Sequence, residues 1–139
     1  MDALALARQC ADRMYADDKA SQALGITISE VGPGTSIASM AIRDDMVNGH
    51  GICHGGYVFT LADTAFAFAC NTYDDVTVAA GADITFLEPV PAGTELAATA
   101  VEVARRGRSG LYDVTVRRAD GGVVAEFRGR SRSLGRRLL

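Results

Sequence analysis

The sequence has no tryptophan and contains only three prolines, three cysteines and two histidines among its 139 residues. Cys10, Cys53 and Cys70 cannot all pair with one another, and their spacing matches neither a CxxC redox unit nor a set of zinc ligands. His50 and His54 lie four residues apart in a glycine-rich segment, where a metal site would need carboxylates from distant parts of the chain. The sequence therefore predicts reduced thiols, with neither a disulfide framework nor a metal centre.

A long hydrophobic run is absent as well. The most apolar segment, Tyr57 to Cys70, falls short of the roughly 18 to 20 residues that a membrane span needs, and it contains Asp63. Acidic and basic side chains are interspersed from Asp2 onward, without the basic and apolar regions of a secretory signal. Hydrophobic residues make up 48% of the sequence and charged residues 22%, which is a globular composition. We therefore expect one cytoplasmic domain over residues 1–139.

Charge is unevenly distributed along the chain, whose net charge is −3. Residues 1–100 contain 4 basic and 13 acidic side chains, whereas residues 101–139 contain 10 arginines and 4 acidic residues. A local cationic region on an acidic protein suits a small phosphorylated ligand better than a nucleic acid, which needs a broad positive surface. The alternative is an arginine-rich face that is merely solvated.

Hydrophobic periodicity predicts two helices. Apolar side chains at spacings of three and four make Asp2 to Asp18 an amphipathic surface helix. The run Tyr57 to Cys70 is apolar on almost every side, and its length and alanine content favour a helix over a strand. A helix that is apolar on every side must be buried.

Period-two alternation predicts six strands, separated by turn residues such as Gly32-Pro33-Gly34. In the last of these strands apolar Ala125 and Phe127 alternate with charged residues, so one face of an antiparallel sheet is solvated and the buried helix covers the other. A sheet of about six strands around one long central helix, with an additional N-terminal helix, is the α+β architecture called the hotdog fold. The predicted strands are Ile26 to Val31, Thr35 to Ile42, Val76 to Leu87, Thr94 to Arg105, Leu111 to Arg118 and Val123 to Leu134.

Asp63 is a carboxylate within the helix that we expect to be buried. Burying an unpaired carboxylate costs several kcal/mol or raises its pKa. One interpretation is structural, with Asp63 hydrogen-bonded to Thr60 or to a loop amide. The other is functional, with Asp63 acting as general base or nucleophile in a site that excludes water.

The segment before this helix is rich in glycine. In Asn48-Gly49-His50-Gly51 and His54-Gly55-Gly56, compact backbone meets a helix N-terminus, where unpaired N–H groups and the positive end of the helix dipole converge. Such amides can polarise a carbonyl during acyl transfer, although the same glycines suit a tight loop with no catalytic role. His54 could donate to a thioester oxygen, but we expect it to hold the loop by bonding a backbone carbonyl. We expect Cys53, beside it, to be structural.

Together these residues resemble a known family. The pattern Asn48-Gly49-x-Gly51-x-x-His54-Gly55-Gly56, followed by Leu61-Ala62-Asp63-Thr64-Ala65-Phe66-Ala67 and Cys70-Asn71, is similar to that of the PaaI-type phenylacetic acid degradation thioesterases. The likeness extends through Ile84-Thr85-Phe86-Leu87-Glu88-Pro89, Gly110-Leu111-Tyr112-Asp113-Val114 and Phe127-Arg128-Gly129-Arg130-Ser131.

The resemblance implies an acyl-CoA thioesterase that works as a homodimer, commonly a dimer of dimers, with active sites at the subunit interface. It assigns Asn48, His54 and the Gly55 amide to one subunit and Asp63 to its partner. The Gly55 N–H would polarise the thioester carbonyl, Asp63 would activate a water or attack directly, and Asn48 would position the water or the carboxylate. No cofactor is implied, because coenzyme A is part of the substrate.

The implied substrate is phenylacetyl-CoA or a ring-hydroxylated relative, with no nucleic-acid or membrane partner. Thr64 is a possible partner of Asp63 beside the substrate. The remaining candidates contact the acyl group or the coenzyme A phosphates, or they have the alternative roles of core packing and of a solvated turn. For the acyl group these candidates are Tyr57, Phe59 and Phe66, and for the coenzyme A phosphates they are Arg106 and Arg108 in the cationic region. Gly56 is a further substrate-binding candidate.

Two other functions fit part of the pattern. A hotdog hydratase or dehydratase would need a histidine beside the partner's acid, a role that His54 could fill. A non-catalytic acyl-CoA-binding protein would be expected to lack the acid or to carry an additional DNA-binding domain. The sequence also departs from related enzymes, which often carry Ser or Thr on the strand after the helix to orient water. Here that strand contains Val78-Ala79-Ala80-Gly81-Ala82.

Overall fold

A computed structural model describes all residues of the chain, 1–139. Its six strands form one antiparallel sheet in the order β1-β2-β4-β5-β6-β3, so that β1 and β3 are the two edges. One long helix lies on the inner face of this sheet, which confirms the arrangement predicted from the sequence. The elements in chain order are α1 (Ala3–Asp17), α2 (Lys19–Ala23), β1 (Thr27–Gly32), β2 (Thr35–Ala41), a 3₁₀ turn (Asp44–Met46), α3 (Gly55–Cys70), β3 (Thr77–Phe86), β4 (Glu95–Arg106), β5 (Ser109–Arg118) and β6 (Val123–Ser133).

The short helix α2 and the 3₁₀ turn were not predicted. Helix α2 is only five residues long, which is too short for apolar periodicity to reveal it. Its local signal is a polar cap, because the Asp18 side chain accepts hydrogen bonds from the Ser21 amide and hydroxyl at 3.1 and 2.7 Å. Every other helix and strand was predicted with ends that differ by only one or two residues.

Small residues on the inner face of the sheet let α3 approach closely. Ala38, Ala98, Ala100 and Ala125 are fully buried there. Gly129 of β6 leaves space for the Phe66 ring, because a Cβ atom at this position would lie 2.8 Å from ring atoms of Phe66. The Phe66 ring packs instead between aromatic neighbours, with centroids 5.6 Å from Tyr112 and 5.8 Å from Phe127.

Hydrogen bonds fix the position of α3 along its axis. The buried Ser36 hydroxyl of β2 donates to the carbonyl of Ala65 in the helix at 2.6 Å. Past the last turn, the Asn71 side chain donates to the carbonyls of Ala67 and Thr77, both at 2.9 Å. Because these bonds join the helix to strands β2 and β3, the side chains along α3 have a defined place relative to the sheet.

Helix α3 is not buried on every side, contrary to the expectation from its composition. Gly56, Thr60, Asp63 and Ala67 follow one another at spacings of four, three and four, which places them on one face of the helix. All four are partly or fully exposed, whereas Leu61, Ala62 and Ala65 on the opposite face are buried. We call these four residues the open stripe of α3.

Charged side chains cover the outer face of the sheet, as the alternation in the last strand predicted. Arg128 of β6 forms a two-pronged ion pair with Asp113 of β5, and Arg130 pairs with Asp83 of β3 at 2.9 Å. No helix of the chain is both long and apolar enough to cross a membrane.

Candidate active site

The loop before α3 is held in shape by Asn48. Its side-chain oxygen accepts a hydrogen bond from the His50 amide at 2.9 Å, and its own carbonyl accepts one from Gly51 at 3.0 Å. Gly51 has a φ of +77°, a conformation that favours glycine. The Asn48 side-chain nitrogen donates to no other group of the chain, so it is free to bind a ligand.

His54 precedes the first residue of α3 and occupies the N-cap position. The backbone of His54 pins the loop, because its amide donates to the Met46 carbonyl at 2.9 Å and its carbonyl accepts from Tyr57 at 3.0 Å. The exposed imidazole makes no hydrogen bond, so the expected side-chain contact with a backbone carbonyl is not found. The predicted contact of the His54 side chain is therefore wrong, and the backbone of His54 holds the loop instead.

The amides of Gly55 and Gly56 have no partner within the chain. Helices α1 and α2 each begin with an aspartate whose side chain accepts a hydrogen bond from the first turn, but α3 has no such cap and no acidic residue in its first turn. The positive end of the α3 dipole therefore lies beside two unpaired N–H donors.

A largely apolar depression of about 420 Å³ opens beside Gly55. Asn48 and Gly55 line it together with Cys53, Val58 and residues of the connection after β3. Phe86, the last residue of β3, also lines it and lies against Gly55. Phe86 was not among the site residues predicted from the sequence, because nothing local indicates that the end of an edge strand overlies the start of a helix.

Asp63 lies at the middle of the open stripe of α3. Its carboxylate forms no ion pair and accepts no hydrogen bond within the chain. Partial burial without a partner raises the pKa of the carboxyl above its ordinary value of 3.8. The structural interpretation considered for Asp63, a bond to Thr60 or to a loop amide, is therefore not supported.

The threonines beside Asp63 bond to the helix backbone instead. Thr60 donates to the Gly56 carbonyl at 2.8 Å, and the buried Thr64 donates to the Thr60 carbonyl at 2.7 Å. Both bonds connect a residue to the carbonyl four positions earlier, as is common for threonine within helices. Thr64 is therefore no partner of Asp63 in this structure, which corrects that expectation.

Asp63 and the Gly55 amide do not meet within one chain. They are separated by eight residues of one helix, which corresponds to about 12 Å along the axis at 1.5 Å per residue. The depression at Gly55 does not include Asp63. Within one chain, the predicted site residues therefore form two separate groups, with Asn48, His54 and Gly55 at the start of α3 and Asp63 two turns further along the helix.

The predicted aromatic contacts differ in their surroundings. Phe66 is fully buried in the core, and Phe59 packs edge-on against Phe127 with ring centroids 5.3 Å apart. For these two, the alternative of core packing applies. Tyr57 is half-buried beside the open stripe and has no hydrogen bond to its hydroxyl, and Gly56 has open space around its Cα atom.

Arg106 and Arg108 are exposed at the β4–β5 turn. This turn is far from Gly55 of the same chain. In the sheet, Ser109 faces Arg132 of β6 and Phe86 faces Ala125, so seven residues of β6, or about 23 Å, separate the two ends. The cationic turn and the unpaired amides thus lie at opposite ends of one sheet.

The cysteines are all unpaired and buried. Cys53 donates to the carbonyl of the adjacent His54, and burial raises the pKa of its thiol. Burial also raises the pKa of Cys70 to about 12. Neither thiol is therefore a nucleophile at neutral pH. The chain contains no group of three or more His, Cys, Asp or Glu side chains that could hold a metal ion.

Residues 50–125 match the family model of the thioesterase superfamily. This range contains Gly55, Asp63 and Phe86. The chain is 43% identical over 128 residues to acyl-coenzyme A thioesterase PaaI of Escherichia coli strain K12, with 91% of each protein covered. It is also 31% identical to a putative esterase of Archaeoglobus fulgidus, covering 85% of this chain and 77% of that protein.

The comparison with solved structures also finds PaaI proteins. The PaaI protein from the phenylacetic acid degradation operon of E. coli superposes with a TM-score of 0.96 at 40% identity, covering 98% of this chain and 99% of that one. A mutant of the phenylacetic acid degradation protein PaaI from Thermus thermophilus superposes with a TM-score of 0.81 at 36% identity, covering 84% of this chain and all of that one.

Proposed function

Because the chain belongs to the thioesterase superfamily and is a PaaI-type acyl-CoA thioesterase, we propose that its substrates are phenylacetyl-CoA and ring-hydroxylated relatives. Two relatives are named for phenylacetic acid degradation, at 40% and 36% identity. The apolar depression at Gly55 supports the proposal, because seven of its eleven lining residues are hydrophobic and suit an aromatic acyl group.

The Gly55 amide is the group that we propose for polarising the thioester carbonyl. It is unpaired, it lies at the positive end of α3, and Gly55 lines the depression. Negative charge develops on the carbonyl oxygen during attack at the acyl carbon, and a fixed N–H donor stabilises that charge without reorganising. Asn48, whose side-chain nitrogen is free, and His54, whose imidazole is exposed and unbonded, would orient the attacking water and the thioester.

Asp63 of a partner subunit is the carboxylate that we propose for the same thioester. The 12 Å or so between Gly55 and Asp63 in one helix excludes their joint action within a chain. A two-fold dimer that pairs edge strand β3 with its own copy would set the two open stripes side by side in opposite directions. The N-terminus of one helix would then face the middle of the other, and two identical sites would form. Two such dimers would make the tetramer implied by the family resemblance.

The ionised Asp63 would act in one of two ways. As general base it takes a proton from water, the hydroxide adds to the acyl carbon, and the carbon–sulfur bond breaks to release the coenzyme A thiolate and the free acid. As nucleophile it forms a mixed anhydride while the thiolate leaves, and water then cleaves the anhydride. The raised pKa of Asp63 supports either role, since a carboxylate that is poorly solvated is a stronger base.

The antiparallel pairing of β3 with its copy also suggests a role for Arg106 and Arg108. Reversing β3 in the partner brings the partner's β4–β5 turn toward the Phe86 end of this chain. The exposed guanidinium groups of that turn would then face the open side of the depression and hold the phosphates of coenzyme A.

The single observation that carries this proposal is that α3 has two unpaired groups, the Gly55 amide at its start and the Asp63 carboxylate on the open stripe, about 12 Å apart along the helix axis. A thiol-release assay over a panel of acyl-CoAs tests the substrate. We expect the highest kcat/KM for phenylacetyl-CoA and its hydroxylated forms. A preference for long aliphatic acyl groups, or no hydrolysis of phenylacetyl-CoA, would contradict it.

A further inference from the structure

Phe86 is an aromatic side chain in an unusual position. It ends edge strand β3 and is 52% exposed, although it is one of the largest apolar side chains of the chain. It takes part in none of the aromatic pairs of the core. Phe86 is therefore not part of the aromatic core, and it lines the depression beside Gly55.

The direction of Phe86 follows from its strand. Ala82 and Ile84 pack against the core, and side chains two residues apart lie on the same face of a strand. Phe86 therefore points to the inner face, the face that α3 covers. Because α3 begins at Gly55, the Phe86 ring overlies the first residue of the helix.

The contact between Phe86 and Gly55 is close. A Cβ atom on Gly55 would lie 2.8 Å from the tip of the ring and 3.2 Å from the two neighbouring ring atoms. Phe86 and Gly55 also line the same depression. An acyl carbonyl that accepts the Gly55 hydrogen bond would consequently have the Phe86 ring beside it.

We infer that Phe86 is the residue that selects aromatic acyl groups, an inference that rests on the proposed function. In a phenylacetyl group the ring is one methylene away from the carbonyl carbon. With the carbonyl at the Gly55 amide, that ring falls within the 4.5 to 7 Å or so over which aromatic rings attract one another. An acetyl group, in contrast, is too short to reach the Phe86 ring. Phe86 thus determines acyl specificity, whereas Asp63 and the Gly55 amide take part in cleaving the carbon–sulfur bond.

The test compares Phe86→Ala and Phe86→Leu with the unmodified enzyme on phenylacetyl-, hexanoyl- and acetyl-CoA. We expect the ratio of kcat/KM for phenylacetyl-CoA over hexanoyl-CoA to fall about tenfold in Phe86→Ala and about threefold in Phe86→Leu, which keeps apolar bulk but no ring. Turnover of acetyl-CoA stays within about twofold. Val101→Ala is the control, because Val101 is an apolar side chain of β4 that is 48% exposed and remote from the depression, and it should change no ratio.

A binding measurement separates this inference from the proposed function. Two ketone analogues of coenzyme A that cannot be hydrolysed, S-(2-oxo-3-phenylpropyl)-CoA and S-(2-oxopropyl)-CoA, differ only in the phenyl ring. We expect Phe86→Ala to weaken the first about tenfold in calorimetry and to leave the second unchanged. Equal weakening of both, or equal loss of turnover on every acyl-CoA, would overturn the inference by assigning Phe86 to the coenzyme A arm or to the dimer. Failure of the unmodified enzyme to hydrolyse phenylacetyl-CoA would overturn the proposed function instead.

Discussion

Gly55→Pro removes the one N–H group that we propose for the thioester carbonyl while leaving the helix able to form. Gly55 is the first residue of α3, a position where proline is favoured because that N–H is not used within the helix. The preceding residue, His54, has φ −57° and ψ 133°, which is the extended conformation that a residue before proline prefers. Gly55 itself is not in the left-handed region. The backbone around position 55 therefore accepts proline without rearrangement.

The magnitude follows from the role of the amide. Loss of one preorganised donor to a developing oxyanion typically lowers kcat by about 10²- to 10³-fold, or about 2.7 to 4 kcal/mol. The new Cβ atom also meets the Phe86 ring at 2.8 Å, and the ring must move. Because the ring is exposed and moves at its free end, we expect little loss of folding stability from this contact.

Gly55→Ala is the matched control, since it adds the same Cβ atom but keeps the N–H. The assay is release of free coenzyme A from phenylacetyl-CoA under saturating substrate, with circular dichroism and thermal unfolding for the fold. We expect Gly55→Pro to lose about 10²-fold or more in kcat relative to Gly55→Ala. Equal kcat values for the two variants, both folded, would refute the assignment of the Gly55 amide.

The remaining predictions concern Asp63 and Cys53. Asp63→Asn should lower kcat by about 10²- to 10⁴-fold while keeping the fold and the oligomer, and near-normal hydrolysis across an acyl-CoA panel would contradict it. Because burial raises the pKa of Asp63 in the folded chain, its contribution to stability is fully present below the ordinary pKa and is lost as pH rises through the folded value, so Asp63→Asn should also raise Tm at pH 7. The pH profile of kcat should have an acid limb with its midpoint above 3.8, since the ionised carboxylate is the active form, and a limb at or below 3.8 would argue against a buried acid. Cys53→Ala should keep kcat within about threefold, because the thiol is buried, has a raised pKa and takes no part in the mechanism, whereas a folded but inactive variant would require cysteine chemistry.

Most of the fold could be predicted from periodicity. The alternation in β6 and the length of the apolar run at α3 are strong local signals, and they lead to a sheet around a helix, which the relatives of the chain confirm as the hotdog fold. The family and the thioesterase activity, predicted from the Asn48-to-Asp63 motif, are confirmed as well. Composition could not show that α3 has an open stripe. A helix made of apolar and small residues has the same composition whether one face meets solvent or a second subunit.

The site was harder to predict, since it depends on contacts between residues distant in sequence. Asp63 was predicted because a carboxylate in an otherwise apolar helix is costly to bury, and its catalytic role stays a prediction. Phe86 was missed, although it was part of the motif, because only the sheet register and the start of α3 bring its ring onto Gly55. Thr64 was assigned to Asp63 by adjacency, but a threonine within a helix can satisfy its hydroxyl on the preceding turn, as Thr64 does.

The central claim is that the Gly55 amide of one subunit and Asp63 of another serve the same thioester. The most direct test co-expresses two inactive variants, Asp63→Asn and Gly55→Pro, with different affinity tags and purifies the mixed oligomers through both tags. With a shared site, half of the active sites in each mixed dimer combine the two unaltered parts, so the randomly assembled mixture before any purification gives about a quarter of wild-type activity and the mixed dimer isolated through both tags about half. If both groups acted within one chain, the mixed dimer would be as inactive as either variant alone.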